Sequence, residues 1–235
     1  MEDSFLDLSP YAEIFCTNVG KEEQPFLQVN SFMKDASVLK NRAISTNCFA
    51  VADSYYPGVR MPIPDYYPTA LLKNLKHIIN SGFGFSADKI KSIFSSYSIV
   101  TLSPSELKLE QRVPHFDFRS KKSLAFVHYL CDSDDSGTSL YRHKETGFEY
   151  IDEARATEYT RHLRHQFADT ANHPEGYIVN STAVFEQIHS CKASFNRLIA
   201  YRGCSLHSGN IPPNSSFSPD PSVGRLTITS LFEFE

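Results

Sequence analysis

From Tyr97 onward the chain reads as a succession of short strands, and that rhythm limits the fold more than any other feature. Segments 98–102, 108–118, 124–130, 137–142, 183–188, 197–201, 205–208 and 224–234 read as strands, most of them carrying β-branched, aromatic or alternating apolar residues. Eight strands are the complement of a double-sheet jelly roll. The first part differs. Residues up to Gln24 show no clear periodicity, and 25–29 reads as a short strand. Phe32, Ala36, Leu39 and Ala43 follow at helical spacing behind a cap at Asn30 or Ser31. Residues 55–64 carry too much Pro and Gly for a regular element. Residues 66–80 read as a helix with Leu71, Leu72, Leu75, Ile78 and Ile79 on one side, and a shorter helix is expected over 86–95. The expected fold is mainly β: a double-stranded β-helix (jelly roll, cupin-like) with an N-terminal helical layer packed outside. Residues 1–96 would form a strand/helix support layer and 97–235 the jelly-roll core, with a helical insertion near 153–176. A chain of 235 residues and 41% hydrophobic content can bury all of this as the single domain 1–235.

The run Arg112-Val113-Pro114-His115-Phe116-Asp117 carries the first chemical signal. On a strand, alternate residues share a face, so His115 and Asp117 project together while Phe116 points away. An imidazole beside a carboxylate offers two legs of a mixed nitrogen and oxygen metal site, and His207 is the candidate third. Two histidines and a carboxylate on one side of an ion form the facial triad of non-haem iron(II) oxygenases. His-x-Asp alone is common, so the residues downstream of it decide the matter.

The order is His115-x-Asp117, Tyr129-Leu130, Ser136-Gly137-Thr138, the stretch from Phe195 through Arg197 to Tyr201, Gly203, His207-Ser208 and Arg225-Leu226-Thr227. Over roughly 97–235 this resembles the iron(II)- and 2-oxoglutarate-dependent dioxygenases, in particular their prolyl-hydroxylase-like branch. The resemblance implies Fe(II) held by His115, Asp117 and His207, with 2-oxoglutarate as cosubstrate and O2 as oxidant. It implies that Arg225 grips the far carboxylate of 2-oxoglutarate through its planar fork. Thr227, in phase with Arg225 on the last strand, and Tyr129 would add hydroxyls. The implied reaction is hydroxylation of an unactivated C–H bond, with succinate and CO2 as co-products; because Asp117 is present, halogenation is disfavoured. Two departures concern substrate handling. Ser136-Gly137 stands where a glycine pair is usual, and a Pro/Ser-rich loop at 211–221 lengthens the gap between His207 and Arg225, where it could act as a lid.

Charge and cysteine usage limit the partners. The formal net charge is −4 with no Lys/Arg-rich block, so no nucleic-acid or anionic-membrane partner is expected. The opening residues are acidic and no long apolar run follows, so neither a signal peptide nor a membrane span is expected. Five scattered cysteines without a Cys-x-x-Cys pair fit a reduced, cytoplasmic protein without a thiolate zinc site. The expected partner is a small molecule, amino acid or peptide side chain; assembly is open, a homodimer among the options. Two other readings stand beside the oxygenase: a cupin-type metalloenzyme that does not use 2-oxoglutarate, which Arg225 argues against, and a non-catalytic ligand-binding jelly roll.

Overall fold

The computed structural model describes residues 4–52 and 55–235, and only the backbone at 133–135. Among the described residues, eleven strands form two antiparallel sheets. They are β1 (Glu13–Val19), β2 (Gln24–Asn30), β3 (Ala50–Val51), β4 (Gly58–Pro62), β5 (Ile90–Val100), β6 (Ser123–Tyr129), β7 (Ser133–His143), β8 (Phe185–Ala193), β9 (Leu198–Arg202), β10 (His207–Asn210) and β11 (Leu226–Phe234). The major sheet runs β1-β2-β9-β6-β11-β5-β4-β3 and the minor sheet β10-β7-β8. This is the expected jelly roll. The support layer expected for 1–96 needs amending, because β1 to β4 and most of β5 come from that half and belong to the major sheet itself.

Each face of the major sheet has its own partner. Its outer face presents Leu27, Val29, Leu124, Phe126, Leu198, Ala200, Ile228 and Phe232 to the helices α1 (Ser37–Thr46) and α2 (Tyr66–Phe83). Residues Tyr67, Leu71, Leu75, Ile79 and Phe83 recur every four positions, so α2 buries one complete stripe. Each such side chain contributes about 1.5–3 kcal/mol of transfer free energy. Gly84, at φ 69°, ends α2 with the left-handed residue that a side chain would strain. The inner face places Phe26, Ala125, Val127, Ile199 and Tyr201 against Leu140, Cys191 and Ala193 of the minor sheet. A third helix, α3 (Glu153–Gln166), covers the outside of the minor sheet through Ala156 and Tyr159, packed with Tyr141 and Phe185. No helix among the described residues is long and apolar enough to cross a membrane.

Four expectations are corrected. Residues 13–19 form β1, although mostly exposed and without apolar periodicity; pairing with β2 along its whole length holds it. Residues 58–62 form β4 despite Pro62 and Pro64, because Gly58 lets the strand lie against β5. A Cβ there would sit 2.0 Å from the Ile99 carbonyl oxygen. No helix forms over 86–95: residues 86–89 are irregular and 90–95 start β5. Ile90, Ile93 and Phe94 mimic helical spacing, but pairing with β11 from Leu226 to Phe234 overrides it. The strand expected over 108–118 is not a ladder strand. A turn of 3₁₀ helix occupies Leu109–Gln111. Arg112 then folds its guanidinium back onto the Leu107 carbonyl at 2.7 and 3.1 Å. Only His115 makes a strand-like pair, with His207.

Two predictions come from this packing. His128 is fully buried on the helix side of β6, its ring 3.1 Å from both the Tyr67 hydroxyl and Asn196 Oδ1. Burial pushes its pKa down to about 4, against a partial upward pull from Asn196. The unfolded chain takes up this proton below about pH 6.5 while the native state refuses it until about 4. Stability should therefore fall as pH drops through that window, with a slope approaching about 1.4 kcal/mol per pH unit from this group. Denaturant melts at pH 7, 6 and 5 measure it, and the His128→Asn variant should show a shallower slope. Gly137 gives the second test. A Cβ there would lie 2.0 Å from the Cys191 carbonyl oxygen in the paired backbone of β8. Gly137→Ala should cost about 1–3 kcal/mol by forcing the two strands apart, readable from the denaturation midpoint.

Candidate metal centre

Backbone bonds build the site first. The His115 N–H donates to the His207 carbonyl and the His207 N–H to the His115 carbonyl, both at 2.8 Å. This reciprocal pair pins an otherwise irregular segment to β10 and brings the two imidazoles to 4.3 Å between ring centres. Two residues on, the Asp117 N–H donates to the Gly203 carbonyl at 2.8 Å. The segment is thereby extended from 115 to 117, and the alternation expected of a strand survives without the strand. His115 and Asp117 face one way, while Phe116 turns to the opposite side and packs near Tyr159.

The side chains then converge. Ligand atoms of His115, Asp117 and His207 all lie within 4.8 Å of one another, the one such cluster of three among the described residues. Asp117 Oδ2 is 3.4 Å from His207 Nε2 and Asp117 Oδ1 is 4.0 Å from His115 Nε2. His207 Nδ1 lies 2.9 Å from the Ser205 carbonyl oxygen, so Nδ1 carries the proton. Nε2 is then the nitrogen that faces the carboxylate oxygen. A cation held between them would take up the Nε2 lone pair and offset the carboxylate charge, and a mixed nitrogen and oxygen donor set suits Fe(II). The backbone carbonyl on Nδ1 is the outer partner that metal-binding histidines commonly have.

The electrostatics agree with a ligand set. Burial holds His115 below its ordinary pKa, and the neighbouring His207 and Arg60 act in the same direction. Yet 54% of its side-chain surface is open to water, as expected of a ring that lines a recess. Asp117 is held above its ordinary pKa by burial, partly offset by His207 and Arg60. His207 is 7% exposed, its ring tilted against Tyr201 at 4.7 Å between centres.

A second group lies on the inner face of the major sheet. The ladder registers align Arg60 of β4, Ser98 of β5, Thr227 of β11 and Tyr129 of β6 as one row. Directly paired residues share a face, so this row points inward with Tyr129. Arg225, just ahead of β11, carries its guanidinium 5.6 Å from the Tyr129 ring centre and donates to the Gly137 carbonyl at 2.7 Å. Its Nε is buried without a hydrogen-bond partner. The Tyr129 hydroxyl pairs with Thr138 Oγ1 at 2.8 Å, and Thr227 Oγ1 donates to the Ser98 carbonyl at 3.3 Å. Burial pushes the Tyr201 hydroxyl up, with Asp117 adding to that and Arg225 opposing it. Beyond Arg225, the 211–221 loop packs Phe217 on Tyr177 at 6.0 Å and buries Ile211.

Sequence reading gave Arg60 no role and named Tyr201 only as the end of the 195–201 stretch. The signal for Arg60 was a lone charge in Val59-Arg60-Met61, an alternation hidden by the prolines around it. Tyr201 closes an apolar strand that reads as core. Other histidines do different work: His143 is buried between Thr146 Oγ1 at 2.9 Å and Gln166 Oε1 at 2.7 Å, and His162 pairs with Glu145 at 2.7 Å. Cys204 is fully buried, its thiol pushed up to about 11, unsuited to metal binding as a thiolate.

Known structures share this architecture. The non-heme alpha ketoglutarate dependent carbocyclase SnoK from nogalamycin biosynthesis superposes with a TM-score of 0.51 at 12% identity, covering 91% of this chain and 81% of that one. The epimerase SnoN from the same biosynthesis gives 0.50 at 8% identity, covering 91% and 79%. A Pseudomonas putida prolyl-4-hydroxylase gives 0.49 at 13% identity, covering 91% and 95%. At such identities what is shared is the fold, that of the 2-oxoglutarate-dependent oxygenases. No curated protein matches the sequence. Residues 10–232 match the model of a family of unknown function, DUF6445, and the chain belongs to that family.

Proposed function

We propose that this protein is an Fe(II)- and 2-oxoglutarate-dependent oxygenase that hydroxylates an unactivated C–H bond of a small molecule, amino acid or peptide side chain. The observation that carries the reading is the convergence of His207 Nε2 and Asp117, 3.4 Å apart, with His115 alongside. Bound there, Fe(II) with 2-oxoglutarate and O2 supplies the oxidising equivalents, with succinate and CO2 as co-products. The chain's own residues hold and orient. His115 and His207 offer neutral nitrogens, and Asp117 offers the negative charge that offsets part of the cation's. Arg225, already anchored to Gly137 through one N–H, turns the rest of its fork toward the far carboxylate of 2-oxoglutarate. Tyr129 and Thr227 line that end with hydroxyls, and Tyr201 packs on the His207 ring. Phe217 and Tyr177 help to exclude water where the 211–221 loop closes over.

Anaerobic titration with Fe(II) and 2-oxoglutarate tests this directly. A visible metal-to-ligand charge-transfer band should appear only when both are present, and succinate should form once air is admitted. A protein that binds Fe(II) without that band would favour a cupin-type metalloenzyme instead. In His207→Ala and Asp117→Ala, Fe(II) affinity should fall about 100-fold or more, since loss of an outer partner alone costs about 10- to 100-fold. Arg225→Ala should keep the metal but raise the 2-oxoglutarate dissociation constant by roughly 100-fold, the equivalent of two charge-assisted hydrogen bonds at about 1.5 kcal/mol each. Unchanged 2-oxoglutarate binding in that variant would remove Arg225 from the site.

A further inference from the structure

Arg60 holds neither the metal nor the cosubstrate, yet it sits in the row that ends in Thr227 and Tyr129. Among the described residues its side chain makes no ion pair or hydrogen bond, and its Nε is buried without a partner. The Tyr56 ring lies 4.4 Å from its Cζ and the Phe94 ring 5.0 Å. Aromatic rings on a guanidinium leave its in-plane N–H edges as the free direction, and those edges match a carboxylate two bonds at a time. Its row points to the inner face of the sheet, and its charge acts on both His115 and Asp117. The Asp117 carboxylate does not pair with it and is committed to the proposed metal. A half-buried guanidinium with no carboxylate paired to it is costly to keep. One guanidinium, Arg225, suffices for the free carboxylate of 2-oxoglutarate. The second is surplus to the cosubstrate.

We propose that Arg60 binds a carboxylate of the substrate, making this an oxygenase of organic acids, with Tyr56 and Phe94 holding the fork in plane. This rests on the oxygenase reading, and the test separates the two. Calorimetric titration of the full-length, Mn(II)-loaded protein with 2-oxoglutarate present would compare a panel of amino acids and aliphatic and aromatic acids with their primary amides. At least one acid should bind about tenfold or more tightly than its amide, the advantage of a charge-assisted pair over a neutral one. Arg60→Gln should abolish that preference while leaving 2-oxoglutarate affinity within about threefold, which also reports that the variant is folded; Arg60→Lys should retain part of it. The proposal is overturned if no acid binds better than its amide. It is equally overturned if Arg60→Gln loses 2-oxoglutarate as Arg225→Ala does, which would exchange the two roles. Binding of a phosphate monoester where the matched acid is silent would overturn the carboxylate assignment. A wild-type protein that takes up neither Mn(II) nor 2-oxoglutarate would defeat the oxygenase reading itself, whatever the acids do.

Discussion

Two hydrogen bonds of 2.8 Å between the backbones of His115 and His207 carry most of the weight of the site. They join a segment that has lost regular structure to a four-residue strand and leave both imidazoles on one side. Because the pairing is made by the main chain, the ring positions do not depend on side-chain rotamers finding each other. The Asp117 amide on the Gly203 carbonyl extends the same logic, and the Ser205 carbonyl then selects the His207 tautomer. Backbone geometry is set by the whole sheet, so a donor set of this kind is preorganised at little local entropic cost.

The division of labour between the faces of the major sheet explains where polarity is tolerated. The outer face is sealed by α1 and α2 and is apolar except where a buried group is satisfied, as His128 is by Tyr67 and Asn196. The inner face is apolar toward β9 and β2, where the minor sheet presses on it. Toward β4 it turns polar, through Thr227, Ser98 and Arg60. An apolar sandwich at one end and a polar recess at the other is what a jelly roll needs to hold a charged centre without losing its core. Gly137 links the two, since it allows β7 and β8 to close up and its carbonyl anchors Arg225.

Much of this was legible along the chain. The stripe of Leu71, Leu75 and Ile79 marks α2 without ambiguity, and 124–130 reads as a central strand, which β6 is. Elsewhere local pattern misled. Residues 86–95 carry apolar side chains at spacings that fit a helix, yet 90–95 lie in β5, where β11 pairs with five of them. Residues 108–118 look like a strand, yet Arg112 bonds to its own chain and leaves one pair.

By itself the sequence determined which chemical groups are available and in what order: two imidazoles, a carboxylate and an arginine carried by a strand-rich half. Residue type and short-range alternation are local properties, so they can be read without coordinates. Only the tertiary structure decided that His207 presents Nε2, that Tyr201 packs on the His207 ring, and that Arg60 shares an inward row with Thr227 and Tyr129. Those facts depend on strand register and on carbonyls that arrive from distant parts of the chain, and register is settled by pairing over a hundred residues rather than by any window of ten.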